Sequence, residues 1–235
     1  MSNDNKIIRL SIFQEKASFR IPYSFEFIET YPLPPFSSVL GLIHNILNLN
    51  NTLENINLSI SGEYESIIRE TVVYKKISKK ESKNYPITVS SLLNLKTIIY
   101  IKFPDIELNK IFINSIKNPP YFLYLGRYED IINHIDIQEI EENIKNIDFI
   151  KLEYNHYIPF EKYFIKNKII KNKIINPIYS IPYYYIKATE NINKKINTIK
   201  SYDYIRTMFV LKNQILELKE NISIDSKNNT PIFWI

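Results

Sequence analysis

The sequence predicts an α+β fold in which a few helices pack against a largely antiparallel sheet. Three observations support this prediction. Several segments alternate apolar and polar residues with a period of two, two segments place apolar residues at helical spacing, and prolines or glycines separate the segments. Up to about residue 145, the segments follow the order β-α-β-β-α-β.

The first two elements are a strand and a helix joined by a proline-rich connection. Residues 6–18 predict the strand, because aliphatic side chains at every second position fall on one face. The first helix carries an apolar stripe, which consists of Val39, Leu40, Ile43, Ile46 and Leu47. We expect Ser37 or Ser38 to be its N-cap, and Gly41 to allow close packing on the sheet.

A pair of strands with a basic connection follows the first helix. Alternation predicts strands over residues 56–64 and 67–77, and further strand segments over residues 87–91 and 96–103. The intervening chain is polar and rich in lysine. We therefore predict a basic β-hairpin, or thumb, over about residues 69–97.

The second helix begins near Pro104 and Asp105. Its predicted apolar face consists of Leu108, Ile111, Phe112 and Ile116. A strand over residues 131–140 completes the β-α-β-β-α-β order, which is the ferredoxin-like arrangement. With both helices on one face, we expect the other face of the sheet to be open, as in RNA-recognition domains that stack bases there.

The prediction divides the chain into two domains. Residues 1–145 form the ferredoxin-like domain, and residues 146–235 form a C-terminal β-rich subdomain. In the second part, strands are predicted over residues 181–187, 204–212 and 231–235.

Composition restricts the class of protein. A net charge of +5 and a pI of about 9.0 favour a polyanionic partner. The absence of cysteine excludes a disulfide framework and a thiol nucleophile. We find no signal-peptide core, no run of membrane-spanning length and no nucleotide-binding motif, so we expect a cytoplasmic protein without a membrane partner, cofactor or metal.

Two motifs point to a known family. The segment from Phe19 to Leu47 combines an aromatic-Arg-x-Pro, a Thr-Tyr-Pro-x-Pro-Pro, two serines and a Gly-Leu inside the first helix. The segment from Leu125 to Asp130 reads LGRYED and precedes the last strand of the first domain. Together these motifs resemble the CRISPR-associated Cas-five family, and most closely its members in type I-B effector complexes.

The resemblance implies a fold, a role and partners. The fold is that of repeat-associated mysterious proteins (RAMPs), with a ferredoxin-like, RRM-like core and a protruding thumb. The implied role is that of a non-catalytic subunit of a type I, I-B-like Cascade surveillance complex, which binds and caps the 5′ handle of crRNA in antiviral defence. The implied partners are this handle, the Cascade backbone subunit, the Cascade large subunit and, indirectly, target DNA.

The residue types suggest how RNA is held. A helix N-terminus exposes unpaired N–H groups that attract phosphate, and the planar guanidinium of arginine binds two phosphate oxygens. Tyrosine rings stack on bases, and a lysine-rich hairpin attracts the RNA backbone. The candidate RNA-binding residues are Arg20, Tyr23, Tyr31, Ser37, Ser38, Arg69, Lys75, Lys76, Lys79, Lys80, Lys83 and Arg127.

Two other functions remain open at the level of sequence. The first is a metal-independent endoribonuclease that processes precursor crRNA, a property of the family's type I-C members. His44 in the first helix is the best candidate for a catalytic residue of such an enzyme. We expect His134 and His156 to be structural. The second is a protein scaffold that makes no contact with RNA.

Overall fold

The computed structural model describes residues 6–24, 27–49, 55–77, 82–119, 121–170, 176–192 and 195–235. In these residues the fold is α+β, with a mostly antiparallel sheet and few helices. No helix in these ranges has both the length and the apolar character needed to cross a membrane.

Four antiparallel strands form the centre of the sheet. Their order is β6 (His134–Lys145), β1 (Lys6–Ala17), β5 (Ser82–Lys102) and β3 (Asn57–Glu63). The predicted first strand is present as β1. The two strand segments predicted at 87–91 and 96–103 form one continuous strand, β5, since the pairing with neighbouring strands runs along its whole length.

The first helix, α1 (Phe36–Leu47), packs its predicted apolar stripe on the face formed by buried residues of β1, β3 and β5. Its N-cap is Pro35, whose extended backbone has φ −67° and ψ 150°, and no side chain caps the helix. The expectation that Ser37 or Ser38 is the N-cap is therefore wrong. The prolines hold the chain extended only as far as Pro35, so the serines are the second and third residues of the helix.

Gly41 also differs from expectation. A Cβ atom at this position would have nothing within 4 Å, so close packing on the sheet does not explain the glycine.

The second helix, α2 (Ile106–Lys117), begins at the predicted place. The Asp105 side chain accepts a hydrogen bond of 2.9 Å from the Glu107 N–H and is the N-cap. Phe112 and Ile116 are buried as predicted, but Ile111 is 51% exposed.

The second face of the sheet is covered, contrary to expectation. Ile7, Ile98 and Tyr100 on this face pack with Ile232 and Trp234 from the end of the chain. The Trp234 indole N–H donates a hydrogen bond of 2.7 Å to the Glu142 carboxylate. Because apolar side chains of the central strands point to this face as well, burying it under the C-terminal segment stabilises the fold.

The remaining strands extend both edges of the sheet. Beyond β3 lie β8 (Asn155–Pro159), β10 (Lys195–Val210) and β9 (Ile178–Ile192), and beyond β6 lie β12 (Ile222–Asp225) and β13 (Pro231–Ile232). A separate two-stranded sheet pairs β7 (Phe149–Lys151) with β11 (Ile215–Glu217), and a π-helical turn covers Glu161–Ile165. Residues 146–235 are thus β-rich and share the main sheet, and a domain boundary at residue 145 stays a prediction.

The described residues include two long hairpins. In the first, β4 (Ser66–Ile77) pairs with β5 from Ser66 opposite Leu93 to Ile77 opposite Ser82. The short strand β2 (Phe27–Ile28) pairs with β5 at Thr88 and Val89. The second hairpin consists of β9 and β10.

Candidate RNA-binding site

A cleft of about 440 Å³ brings together four of the predicted site residues, Arg20, Ser37, Ser38 and Arg127. Its other lining residues include Phe19, Pro22 and Pro35 from the same proline-rich motif, and Tyr202 and Tyr204 from β10. We call this feature the α1 cleft, because the N-terminus of α1 opens into it.

The tip of α1 presents hydrogen-bonding groups to the α1 cleft. The Pro35 carbonyl accepts hydrogen bonds from the N–H groups of Ser38 and Val39, at 3.0 and 3.2 Å. No described residue accepts a hydrogen bond from the N–H of Phe36 or Ser37, or bonds to the hydroxyls of Ser37 and Ser38. The partly exposed serines therefore remain able to bind an anion, although they do not cap the helix.

Arg20 is exposed and lines the α1 cleft. Its guanidinium donates a hydrogen bond of 3.0 Å to the Ser24 carbonyl, and its backbone forms a β-bridge with Thr30. Among the described residues, no carboxylate lies within ion-pair distance of this guanidinium. Most of its donors are consequently available for a phosphate.

Arg127, in contrast, is already engaged. Its guanidinium donates to both carboxylate oxygens of Asp130, at 3.0 and 3.3 Å, and lies 3.1 Å from Glu129. Burial opposes the charge, but the hydrogen bond and the negative charge of Asp130 outweigh it and raise the pKa of Arg127. A bidentate bond to phosphate, as expected from the sequence, would compete with Asp130, so the position of Arg127 favours a structural role.

Asp130 is a residue that sequence reasoning missed. Its buried carboxylate also accepts hydrogen bonds from the N–H groups of Ser18 and Arg127, at 3.0 and 2.8 Å. Gln14 binds the same loop by donating to the carbonyls of Leu125 and Asp130. The available signal was an acidic residue three positions after an arginine in a glycine-containing turn, a spacing that permits a local ion pair.

Gly126 is required in this turn. Its φ is +114°, and a Cβ atom would come within 2.7 Å of the Asp130 carboxylate. The loop therefore depends on a glycine at this position.

The two predicted stacking tyrosines differ in exposure. The Tyr23 side chain is 72% exposed and free to contact a base. Tyr31 is only 2% exposed, its hydroxyl donates to the Ser180 carbonyl at 2.9 Å, and its ring packs edge-on against Tyr179. Burial raises its pKa to about 12, and Tyr31 belongs to the core rather than to an RNA-stacking surface.

Among the predicted basic residues of the thumb, Arg69 is not part of the described lining of the α1 cleft. The Arg69 guanidinium lies 5.2 Å from the centre of the Phe27 ring, at the base of the β4–β5 hairpin. Lys75, Lys76 and Lys83 belong to the paired strands near the hairpin end. Lys79 and Lys80 lie outside the described residues.

None of the three histidines lines the α1 cleft. His44 lies towards the far end of α1, and partial burial lowers its pKa. His134 is exposed at the start of β6, and His156 is fully buried with its ring edge-on to Phe233. In the described part of the chain, no group of three or more His, Asp or Glu side chains is arranged to hold a metal ion.

Comparison with known proteins identifies the family. A family model described as "CRISPR-associated protein (Cas_Cas5)" matches residues 7–168, which is more than half of the chain. The chain therefore belongs to this family of CRISPR-associated proteins. No curated protein matches the chain.

Several solved structures are similar to the chain at low identity. One, described as a CRISPR protein from Archaeoglobus fulgidus, is 11% identical over 97% of both chains, with a TM-score of 0.48. A chain of a "CRISPR RNA-guided surveillance complex" is 10% identical over 96% of this chain and 91% of that chain, with a TM-score of 0.43. A further Cas protein is 17% identical over 54% of this chain and 59% of that chain, with a TM-score of 0.38.

Proposed function

We propose that this protein is a non-catalytic subunit of a type I, I-B-like Cascade surveillance complex that acts in the cytoplasm. It binds and caps the 5′ handle of crRNA and docks the backbone and large subunits, and thereby contributes to interference with target DNA. Membership of a CRISPR-associated family supports a CRISPR role. We further propose that the core is ferredoxin-like and of the RAMP type, for which the strand order β6-β1-β5-β3 is the support.

The observation that carries this proposal is the composition of the α1 cleft. Arg20, with no carboxylate partner among the described residues, lies beside a helix tip whose N–H groups and serine hydroxyls are open to a ligand. Both features favour an anion, and the helix dipole adds to the attraction. A sugar-phosphate backbone entering the cleft would be held without a conformational change of the proline-braced segment.

Binding of RNA by the purified chain tests the proposal. The probe is a fluorescein-labelled RNA of the host's CRISPR repeat, titrated over a range of salt concentrations. We expect Arg20→Ala to weaken binding about tenfold and to reduce the slope of log K against log salt by about 0.7, the value for one phosphate contact with single-stranded RNA. Lys110→Ala, which removes an exposed charge on α2 away from the cleft, is the matched control.

The same titration separates the proposal from a scaffold function. Replacing Lys75, Lys76, Lys79 and Lys80 together by Gln should lower the affinity and reduce the salt slope further, because the thumb is proposed to attract the RNA backbone. Affinity and slope that match wild type in both this variant and Arg20→Ala would refute RNA binding at these two sites and favour the scaffold.

A cleavage assay tests the non-catalytic part of the proposal. Purified chain is incubated with repeat RNA in EDTA, for wild type and His44→Ala. We expect no cleavage by either protein, and the absence of histidine from the cleft lining supports this expectation. Cleavage at one position by wild type, lost in His44→Ala, would establish the endoribonuclease instead.

A further inference from the structure

One wall of the α1 cleft is aromatic and comes from a part of the chain to which the sequence analysis assigned no function. Tyr202 and Tyr204 lie on β10, and their side chains are 39% and 43% exposed. Both line the cleft together with Pro182 of β9. The β9–β10 hairpin thus forms one side of the candidate site.

A register shift shapes this wall. Asp203 pairs with Tyr184, whereas Tyr204 pairs with Pro182, so Tyr183 has no partner in the ladder. The Tyr183 ring packs against Phe36, and its hydroxyl donates to the Ile56 carbonyl at 3.1 Å. The bulge therefore anchors β9 to the core beside α1, while the alternation of β10 leaves the rings of Tyr202 and Tyr204 on the cleft side.

The positive charge of the cleft lining favours an anionic ligand. Among the described residues of the lining, the charged side chains are those of Arg20 and Arg127, and none is acidic. The cleft combines a cation and a helix tip with two partly exposed tyrosines, and these groups match the two parts of a nucleotide: a phosphate and a flat aromatic base. The volume of about 440 Å³ is in the range of small-ligand sites, which is appropriate for one nucleotide.

We propose that Tyr202 and Tyr204 form a base-stacking subsite for one unpaired nucleotide of the bound RNA, whose phosphate lies against Arg20. This inference rests on the proposed RNA-binding function of the α1 cleft. It adds that the cleft holds a base as well as backbone, and that the C-terminal β9–β10 hairpin is part of the RNA site.

The test measures the affinity of each protein variant for a set of RNAs, each of which lacks one base. Repeat RNAs with one abasic nucleotide at each position in turn are titrated against wild type, Tyr202→Leu, Tyr204→Leu and Tyr204→Phe. In wild type, we expect one abasic position to weaken binding by about 5- to 100-fold, the range for one base stacked on an aromatic side chain. For Tyr204→Leu, the affinity for the same abasic RNA should be less than about threefold weaker than the affinity for intact RNA, because the stacking partner is already absent.

Two controls keep the test specific. Tyr204→Phe retains the ring and should behave like wild type, which separates stacking from a hydrogen bond of the hydroxyl. Tyr121→Leu removes a tyrosine that is 53% exposed in a different groove and should leave the abasic profile unchanged. Thermal melting checks that each variant is folded.

The outcomes distinguish this inference from the proposed function. Suppose that wild type binds RNA and that its affinity depends on Arg20. If the abasic RNA then loses affinity by the same factor in the Tyr→Leu variants as in wild type, the base subsite is refuted and the backbone site stands. If wild type does not bind RNA, the proposed function itself fails. If Tyr202→Leu and Tyr204→Leu leave RNA affinity intact but abolish assembly with the other complex subunits, the wall is a protein contact and the inference is overturned.

Discussion

Asp130 organises the loop before β6 through contacts with three separate groups. Its carboxylate is 1% exposed and accepts hydrogen bonds from the Ser18 N–H, the Arg127 N–H and the Arg127 guanidinium. Because these bonds join the end of β1 to the loop, they fix two sides of the α1 cleft relative to each other. A buried carboxylate with a charged partner is costly to disrupt, since the remaining charge loses its compensation.

We therefore expect Asp130→Asn to lower the free energy of unfolding by about 2–4 kcal/mol, because Arg127 would be left half-buried without its main partner. Urea denaturation at neutral pH measures the change. Glu129→Gln is the matched control, as Glu129 contacts the same guanidinium at 3.1 Å but is 43% exposed, and its loss should cost below about 1 kcal/mol. Equal effects of the two substitutions would contradict this assignment.

At the scale of elements, α1 has two unusual features. A proline determines where the helix begins, and a glycine in its interior makes no close contact that would offset its low helix propensity. Pro35 sets the beginning of the helix without a side-chain cap, and Gly41 lies in the helix interior with open space where its Cβ would be. Nothing in the described contacts explains the glycine. Alanine is favoured over glycine in a helix interior by about 1 kcal/mol, because glycine loses more backbone entropy on folding.

Gly41→Ala should accordingly raise the free energy of unfolding of the isolated chain by about 1 kcal/mol, measured by thermal or urea denaturation. Gly62→Ala is a useful comparison, because a Cβ there would collide with the Lys96 carbonyl, and we expect it to destabilise the chain. A Gly41→Ala protein less stable than wild type would show that the glycine is needed for the fold.

At the scale of the whole molecule, the C-terminal segment connects distant parts of the chain. The Phe233 N–H donates to the Ser59 hydroxyl at 3.0 Å, and the Phe233 ring contacts His156 edge-on. His156 is fully buried, both of its ring nitrogens lack a hydrogen-bond partner in the described structure, and burial lowers its pKa to about 3. The neutral imidazole is therefore part of the apolar packing between β8 and the end of the chain.

This burial predicts a loss of stability at mildly acidic pH. Above pH 6.5 the imidazole is neutral in both the folded and unfolded states, and its contribution is fully present. As pH falls below 6.5, His156 becomes protonated in the unfolded chain, but in the folded chain it stays neutral down to about pH 3. Protonation therefore favours the unfolded chain, and the free energy of unfolding falls. Between pH 7 and pH 5 we expect His156 to account for a loss of about 2 kcal/mol.

Urea denaturation of wild type and His156→Leu at pH 7 and pH 5 measures this contribution. The leucine variant keeps the apolar contact but cannot titrate, so its loss between the two pH values should be smaller by about 2 kcal/mol. If the free energy of unfolding changed equally with pH in the two proteins, His156 would be protonated as readily in the folded chain as in the unfolded chain.

Several features of the fold and site were accessible from local sequence. The alternation in β1, the apolar stripe of α1 and the start of α2 next to Asp105 are all where their patterns place them. The proline-rich motif also led to Arg20, Ser37 and Ser38, which line one cleft. These features were predictable because strand and helix periodicity, capping and proline geometry depend on residues a few positions apart.

Other features depend on contacts between residues far apart in the chain. Tyr31 was predicted to stack on bases, but it is buried against Tyr179, some 150 residues away. Arg127 is partnered by Asp130, whose own position depends on Ser18. No local pattern could have revealed the burial of Tyr31 or the bond between Asp130 and Ser18, because both follow from how the strands assemble.

Local sequence was therefore sufficient for the alternating strands, the two amphipathic helices and the excess of positive charge, because each is a property of neighbouring residues. Long-range packing was needed to cover the second face of the sheet with Trp234 and to bring Tyr202, Tyr204 and Arg20 to the same cleft. Burial of apolar surface and pairing of polar groups across the sheet select these arrangements, and both are properties of the assembled molecule.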